Sequence, residues 1–180
     1  MRATAKEARN QDSRLRRLAA SLEALADKDE AVMRHARDVI ALRQAAAAEL
    51  HAICAEFVHG VNRLMRSGEL GLDPPEFPPD AFQDHIRHLI QIQIRGRILQ
   101  VEFEATPELV STEDFRIPYT MQGYVRAFNQ ALLDKDLIEE QLLFYTLERD
   151  KKMWRFFDAR TYRSGPFDQD YLISLLEQLI

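Results

Sequence analysis

Apolar residues recur at alternating steps of three and four from Leu15 through Leu18, Leu22, Leu25, Val32, Ala36, Val39, Ala46, Leu50, Ile53 and Phe57 to Leu64. Of the 15 positions on this seam 12 are apolar if alanine is counted, the exceptions being Asp29, Arg43 and Gly60. That is the spacing of a heptad helix and not of a strand. No proline interrupts it, so a continuous helix over residues 14–65 would be roughly 75–80 Å long at 1.5 Å per residue. A helix that long outruns a compact domain of this size, and its ends need a partner. The competing arrangement is a break at Asp27-Lys28-Asp29-Glu30, where Asp27 and Glu30 have the spacing of a capping box. It would fold residues 15–26 against 30–65 as a hairpin. The heptad phase passes through this segment without a slip and no Gly or Pro marks a turn, which favours the continuous helix.

From Val32 onward the apolar stripe widens to take in Met33, Ile40, Ala47, Cys54, Val58, Val61 and Met65. A face that broad suits packing on a sheet or bundle, whereas the narrow seam before it suits a coiled coil. Residues 1–12 are polar and small and read as a frayed end. Ser67-Gly68 supplies a helix stop. The next segment, LGLDPPEFPP, has prolines at 74, 75, 78 and 79 and reads as an extended linker. Asp80 and Gln83 then predict a short capped helix over about residues 81–87.

Beyond His88 the period changes to two. Ile90, Ile92 and Ile94 alternate with glutamines, and Leu99, Val101 and Phe103 alternate with Gln100, Glu102 and Glu104. A two-residue turn at Arg95-Gly96 would set Ile92 opposite Leu99 and Ile90 opposite Val101. Residues 122–132 read as a third strand, with helix as the rival. Residues 137–148 carry apolar side chains on both parities at Leu142, Leu143, Phe144, Tyr145 and Leu147, the mark of a strand covered on both faces. A turn at Asp150-Lys151 would place Leu147, Tyr145 and Phe144 opposite Trp154, Phe156 and Phe157. Gly165-Pro166 is expected to open a final helix with the stripe Leu172, Leu175, Leu176 and Leu179. The fold class is therefore α+β: a helical stalk over residues 1–67, a linker and short helix over 68–87, and a head over 88–180 built from an antiparallel meander of about five strands with the last helix docked on it.

Charge refines this picture. The chain carries −5 overall, but residues 1–67 hold 12 basic and 9 acidic residues, +3, and residues 68–180 hold 12 and 20, −8. A charge of +3 over 67 residues is weak for a nucleic-acid arm. No apolar run approaches a membrane span and the first residues lack the hydrophobic core of a signal peptide, so a cytoplasmic protein without membrane partners is expected. The lone cysteine, Cys54, is compatible with a reducing compartment.

The chemistry-bearing residues do not assemble into a catalytic motif. His51, Cys54 and His59 spread over about 140° of one helix at 100° per residue, too wide for one ion without a ligand from elsewhere. His85 and His88 beside Asp84 would need a helix where the strand pattern has begun. Cys54 lies mid-helix among Ala52, Ile53 and Ala55, a setting for an inert thiol. No glycine-rich phosphate loop is present. We accordingly expect no catalytic residue, no metal and no cofactor. The expected role is assembly: self-association through Leu15, Leu18, Leu22, Leu25, Val32 and Val39 into a homodimer or larger oligomer, with a partner protein held by the head. The alternative is a nucleic-acid accessory role for Arg14, Arg16 and Arg17, or for Arg126, Arg155 and Arg163 with neighbouring Arg95, Arg97 and Arg160 and the sheet tyrosines. Glu102, Glu104, Glu139, Glu140 and Glu148 are interleaved in the same strands, which makes cross-strand ion pairing the simpler account of those arginines. An enzyme is the third reading.

Overall fold

The computed structural model describes the backbone of residues 2–148 and 151–180, and the side chains of the same residues from 12 onward. The first element, α1, is a single helix from Arg2 to Leu64 that passes through residues 27–30 unbroken. The expected frayed end is thus corrected. Ala3, Ala5, Lys6, Glu7, Ala8 and Arg9 are all strong helix formers, and no glycine or proline opposes them. Arg14, Arg16 and Arg17 consequently lie well inside the helix, away from the positive end of its dipole. After Leu64 the chain turns at Gly68, whose φ of +86° is the left-handed conformation expected of the stop.

Seven strands follow as one antiparallel meander in chain order, two more than expected: β1 (Gly71–Asp73), β2 (His88–Ile94), β3 (Arg97–Val110), β4 (Tyr119–Asn129), β5 (Glu140–Glu148), β6 (Lys151–Asp158) and β7 (Arg163–Pro166). The two additional strands are the short edges. β1 lies inside the expected linker, where Leu72 pairs with Ile92 just ahead of the prolines. β7 occupies the residues expected to open the last helix, with Gly165 set opposite Phe156. A Cβ at Gly165 would sit 2.9 Å from the Phe156 ring, so close packing and not helix initiation accounts for this glycine. The helix α3 (Gln169–Glu177) starts three residues later, capped by Asp168, whose side chain accepts from the Tyr171 N–H at 3.0 Å.

Of residues 81–87 only Ala81 is helical, as the end of a 3-10 turn. The 3-10 turn Pro79–Ala81 has Pro78 at its cap and no side-chain cap bond. The groups expected to build a helix are engaged elsewhere: Asp84 accepts from Arg43, and the Gln83 backbone meets His88. Residues 122–132 divide between the two readings, strand to Asn129 and then α2 (Gln130–Asp134), with the Asn129 side chain accepting from the Leu132 N–H at 3.0 Å.

The β2–β3 hairpin has the expected register, Ile90 with Val101 and Ile92 with Leu99. Its turn residues Arg95 and Gly96 both have positive φ, 46° and 77°, as a twisted two-residue hairpin turn requires. The β5–β6 register departs from expectation by two residues: Tyr145 pairs with Trp154, Leu143 with Phe156 and Leu142 with Phe157. Of the expected turn Asp150-Lys151, Asp150 lies outside the described residues, while Lys151 is already in β6 opposite Glu148. A shift of two leaves each side chain on its own face, so alternation alone does not fix it.

Two compact units are present, Met1–Ala41 and Leu42–Ile180. In the second, one face of the sheet (Ile90, Ile92, Leu99, Val101, Phe103, Met121, Val125, Leu143, Tyr145 and Trp154) packs with Ala46, Ala47, Leu50, Cys54, Phe57 and Val58 of α1 and Tyr171, Leu172 and Leu175 of α3. The indole N–H of Trp154 donates to the Ala46 carbonyl at 2.7 Å, which ties the sheet to α1 at the centre of this core. On the opposite face the loop after β3 lays Phe115 on Phe144 and Phe157, and Tyr119 joins them. β5 is therefore covered on both sides, as its composition requires.

Candidate interaction surfaces

The seam of α1 is presented to solvent. Leu15, Leu18, Leu22, Leu25 and Val32 are each between 54% and 60% exposed, and Val39 is half-buried. Met33 is as open as Val32. The helix carries its polar groups locally: Arg16 pairs with Asp12 at 3.0 Å one turn back, and Arg17 reaches the Ser13 hydroxyl at 3.5 Å. Arg14 and Arg17 share a side of the helix, but Arg16 lies about 200° around from Arg14 at 100° per residue, so the three do not form one basic patch.

Arg43, the second charged seam position, belongs to the core of the second unit. It is 6% exposed. Its guanidinium donates to the Thr120 hydroxyl at 3.0 Å, the Asp84 carboxylate at 2.5 Å and the Thr106 carbonyl at 2.6 Å. From Arg43 to Phe57 the three-and-four spacing serves the sheet, while the residues before Arg43 form an open seam.

The sheet arginines are not one surface either. Arg126 sits on the open face between Glu140, 2.5 Å away, and Glu102, 3.4 Å away, and its guanidinium lies 5.7 Å from the Tyr124 ring centre. Arg87 extends the row by pairing with Glu102 at 2.8 Å and Glu104 at 3.2 Å. This is the cross-strand ion pairing that the interleaved glutamates suggested. Arg155 lies opposite Phe144, its Nε buried without a partner. Arg163 pairs in register with Asp158, which puts it on the other face from Arg155 by strand alternation. Arg160 and Glu139 form a two-pronged pair at 2.6 and 3.0 Å on the surface.

Of the titratable groups singled out from sequence, His59 and His85 are exposed, while His51, His88 and Cys54 are occupied in packing. His51 donates from Nε2 to the Pro74 carbonyl at 2.8 Å. His88 is buried among Phe77, Phe82 and Phe103, with its Nε2 3.2 Å from both the N–H and the carbonyl of Gln83. Burial holds its pKa below the usual 6.5, against the opposing pull of the Gln83 contact. Cys54 is fully buried, which pushes its thiol up to about 12 and keeps it protonated. Burial also raises Tyr145 to about 12, with the Glu49 carboxylate adding to the effect. Among the described residues no three His, Cys, Asp or Glu side chains converge as metal ligands do, and no helix is long and apolar enough to cross a membrane.

Two of the depressions on the surface of the second unit are lined mainly by apolar side chains. One, of about 570 Å³, is lined by Leu132, Leu137, Ile138 and Leu179 with Asp136 and Glu139 beside them. The other, of about 320 Å³, lies between the end of α1, the β2–β3 turn and the last residues after α3. Sequence reasoning missed both, because their walls come from segments far apart in the chain. Comparison with models of known families, with curated proteins and with solved structures found no match to this chain.

Proposed function

We propose that this protein is a non-catalytic assembly subunit that self-associates through the seam of α1 and holds a protein partner with its α+β head. The observation that carries this reading is the row Leu15, Leu18, Leu22, Leu25 and Val32, five large apolar side chains at heptad spacing that are all more than half exposed. A helix with one apolar seam gains little from intrinsic propensity and derives its stability from burial of that seam. A contiguous apolar row left in water marks an interface. Knobs-into-holes pairing with a second copy covers the row along its length, and Asp29, the one charged seam position left once Arg43 is assigned to the core, would fix its register.

The nucleic-acid alternative loses its best sheet residue, because Arg126 is already neutralised by Glu102 and Glu140. The enzyme reading finds no support in Cys54, whose protonated buried thiol is a poor nucleophile.

Light scattering across a concentration series tests the proposal. The full chain is expected at no less than twice its 20.9 kDa mass at micromolar concentration, and the double variant Leu18→Glu, Leu22→Glu is expected at the single-chain mass with its far-ultraviolet β signal intact. A native protein that stays monomeric at every concentration overturns self-association.

A further inference from the structure

The depression of about 320 Å³ combines an apolar floor with two arginines at its rim. Its floor is apolar: Leu70 is buried, and Val61, Met65, Ile94 and Leu176 are half-buried. At its rim stand Arg95 and Arg97, the residues flanking Gly96 at the tip of the β2–β3 hairpin. Of the other arginines of this unit, Arg43, Arg87, Arg126 and Arg160 are neutralised by carboxylates, whereas Arg63, Arg66, Arg116, Arg155 and Arg163 make no ion pair among the described residues but do not line this depression. Arg95 and Arg97 have no carboxylate within ion-pair distance among the described residues. Arg97 is held in place, donating from Nε to the Leu179 carbonyl at 2.8 Å, while its Nη1 finds only the Arg95 carbonyl at 3.5 Å. The turn that carries both arginines is fixed by its paired positive φ angles.

A pocket with an apolar floor and two unneutralised guanidinium groups on one rim selects a ligand with the same division of character. The guanidinium fork matches a carboxylate better than a point cation does. The volume is near the lower end of the range of about 300–1,000 Å³ usual for small-molecule sites, so the apolar part is short. We propose that this depression binds a short-chain aliphatic carboxylate, its chain laid on Leu70, Ile94 and Leu176 and its carboxylate held by Arg95 and Arg97. Acidic lining residues disqualify the larger depression for such a ligand, since Asp136 and Glu139 would repel it.

The test uses the full chain and three probes: octanoate, acetate and octylamine. Calorimetric titration gives affinity and stoichiometry, and the labelled methyl resonance of Met65 reports occupancy of the pocket. Octanoate is expected to bind saturably at one site per chain with a shift at Met65, while acetate, which lacks the chain, and octylamine, which carries the opposite charge, do not saturate. Arg95→Gln is expected to weaken octanoate about tenfold, the loss of one charge-assisted contact. Arg95 is an exposed turn residue, so the melting temperature of this variant should match that of the native protein within a degree or so. Absence of saturable octanoate binding overturns the proposal. So does equal binding of octylamine, or an unchanged octanoate affinity in Arg95→Gln, either of which would reveal an apolar surface indifferent to charge.

Discussion

At Arg43 a single side chain decides how half of a helix is used. Its three hydrogen-bond partners come from residues 84, 106 and 120, so the guanidinium joins α1 to the turn before β2 and to the ends of β3 and β4. Replacing it with Leu leaves the Thr106 carbonyl and Thr120 hydroxyl buried without their donor, and equilibrium denaturation should show a loss of about 2–3 kcal/mol. A gain in stability would instead return Arg43 to an interhelical seam. Trp154, 1% exposed and bonded to Ala46, should cost about 3–5 kcal/mol as Trp154→Ala, of which Trp154→Phe recovers part of the packing but not the hydrogen bond. His88 adds a pH dependence. Its folded-state pKa is depressed below 6.5, so the stability it contributes is complete above that value and is lost as pH falls through the folded-state pKa. Denaturation midpoints measured from pH 7.5 down to 5 should decline, and His88→Gln should flatten the decline; an undiminished slope in the variant would assign it to another group.

Among the elements, β4 shows how closely the sheet is specified. A Cβ at Gly123 would lie 1.9 Å from the Glu102 carbonyl oxygen and 2.8 Å from the Phe103 Cα, both backbone atoms of β3. Neither atom can move without opening the ladder, so Gly123→Ala should destabilise the head by several kcal/mol, roughly the cost of an overpacked core site at its upper end. Amide exchange in that variant should quicken first across β3 and β4. The edges are handled differently. β1 has three residues and is followed by prolines, and β7 has four and ends in Pro166, so neither offers a long row of free backbone groups to another sheet.

For the molecule as a whole, the open seam and the packed core fall in different compact units, Met1–Ala41 and Leu42–Ile180. A chain reduced to residues 42–180 should therefore keep the buried-tryptophan fluorescence and thermal midpoint of the head while losing self-association. Loss of the fold in that fragment would mean that the seam residues support the head directly, contrary to the division of labour proposed for them.

The long helix, the α+β class, the β2–β3 hairpin with its register and the double coverage of β5 were legible in the sequence, because each rests on local periodicity or on a turn with defined backbone requirements. The surface ion pairing of Arg126 was legible too, since the glutamates opposite it follow from strand spacing. What lay beyond reach depended on partners distant in the chain. The β5–β6 register differs from the alternation reading by two residues, a shift that preserves every facing and leaves the choice to packing around Trp154. The edge strands have three and four residues, too few for a period to show. Residues 81–87 hold a plausible capping pattern whose groups are drawn off by Arg43 and His88, contacts made across 41 residues in one case and within the turn in the other. The proposed site rimmed by Arg95 and Arg97 takes shape only where α1, Leu70 just ahead of β1 and the end of α3 meet around it. Local patterning determined which elements form and which faces they bury; long-range contacts alone decided where the apolar seam of α1 passes from solvent-exposed to core.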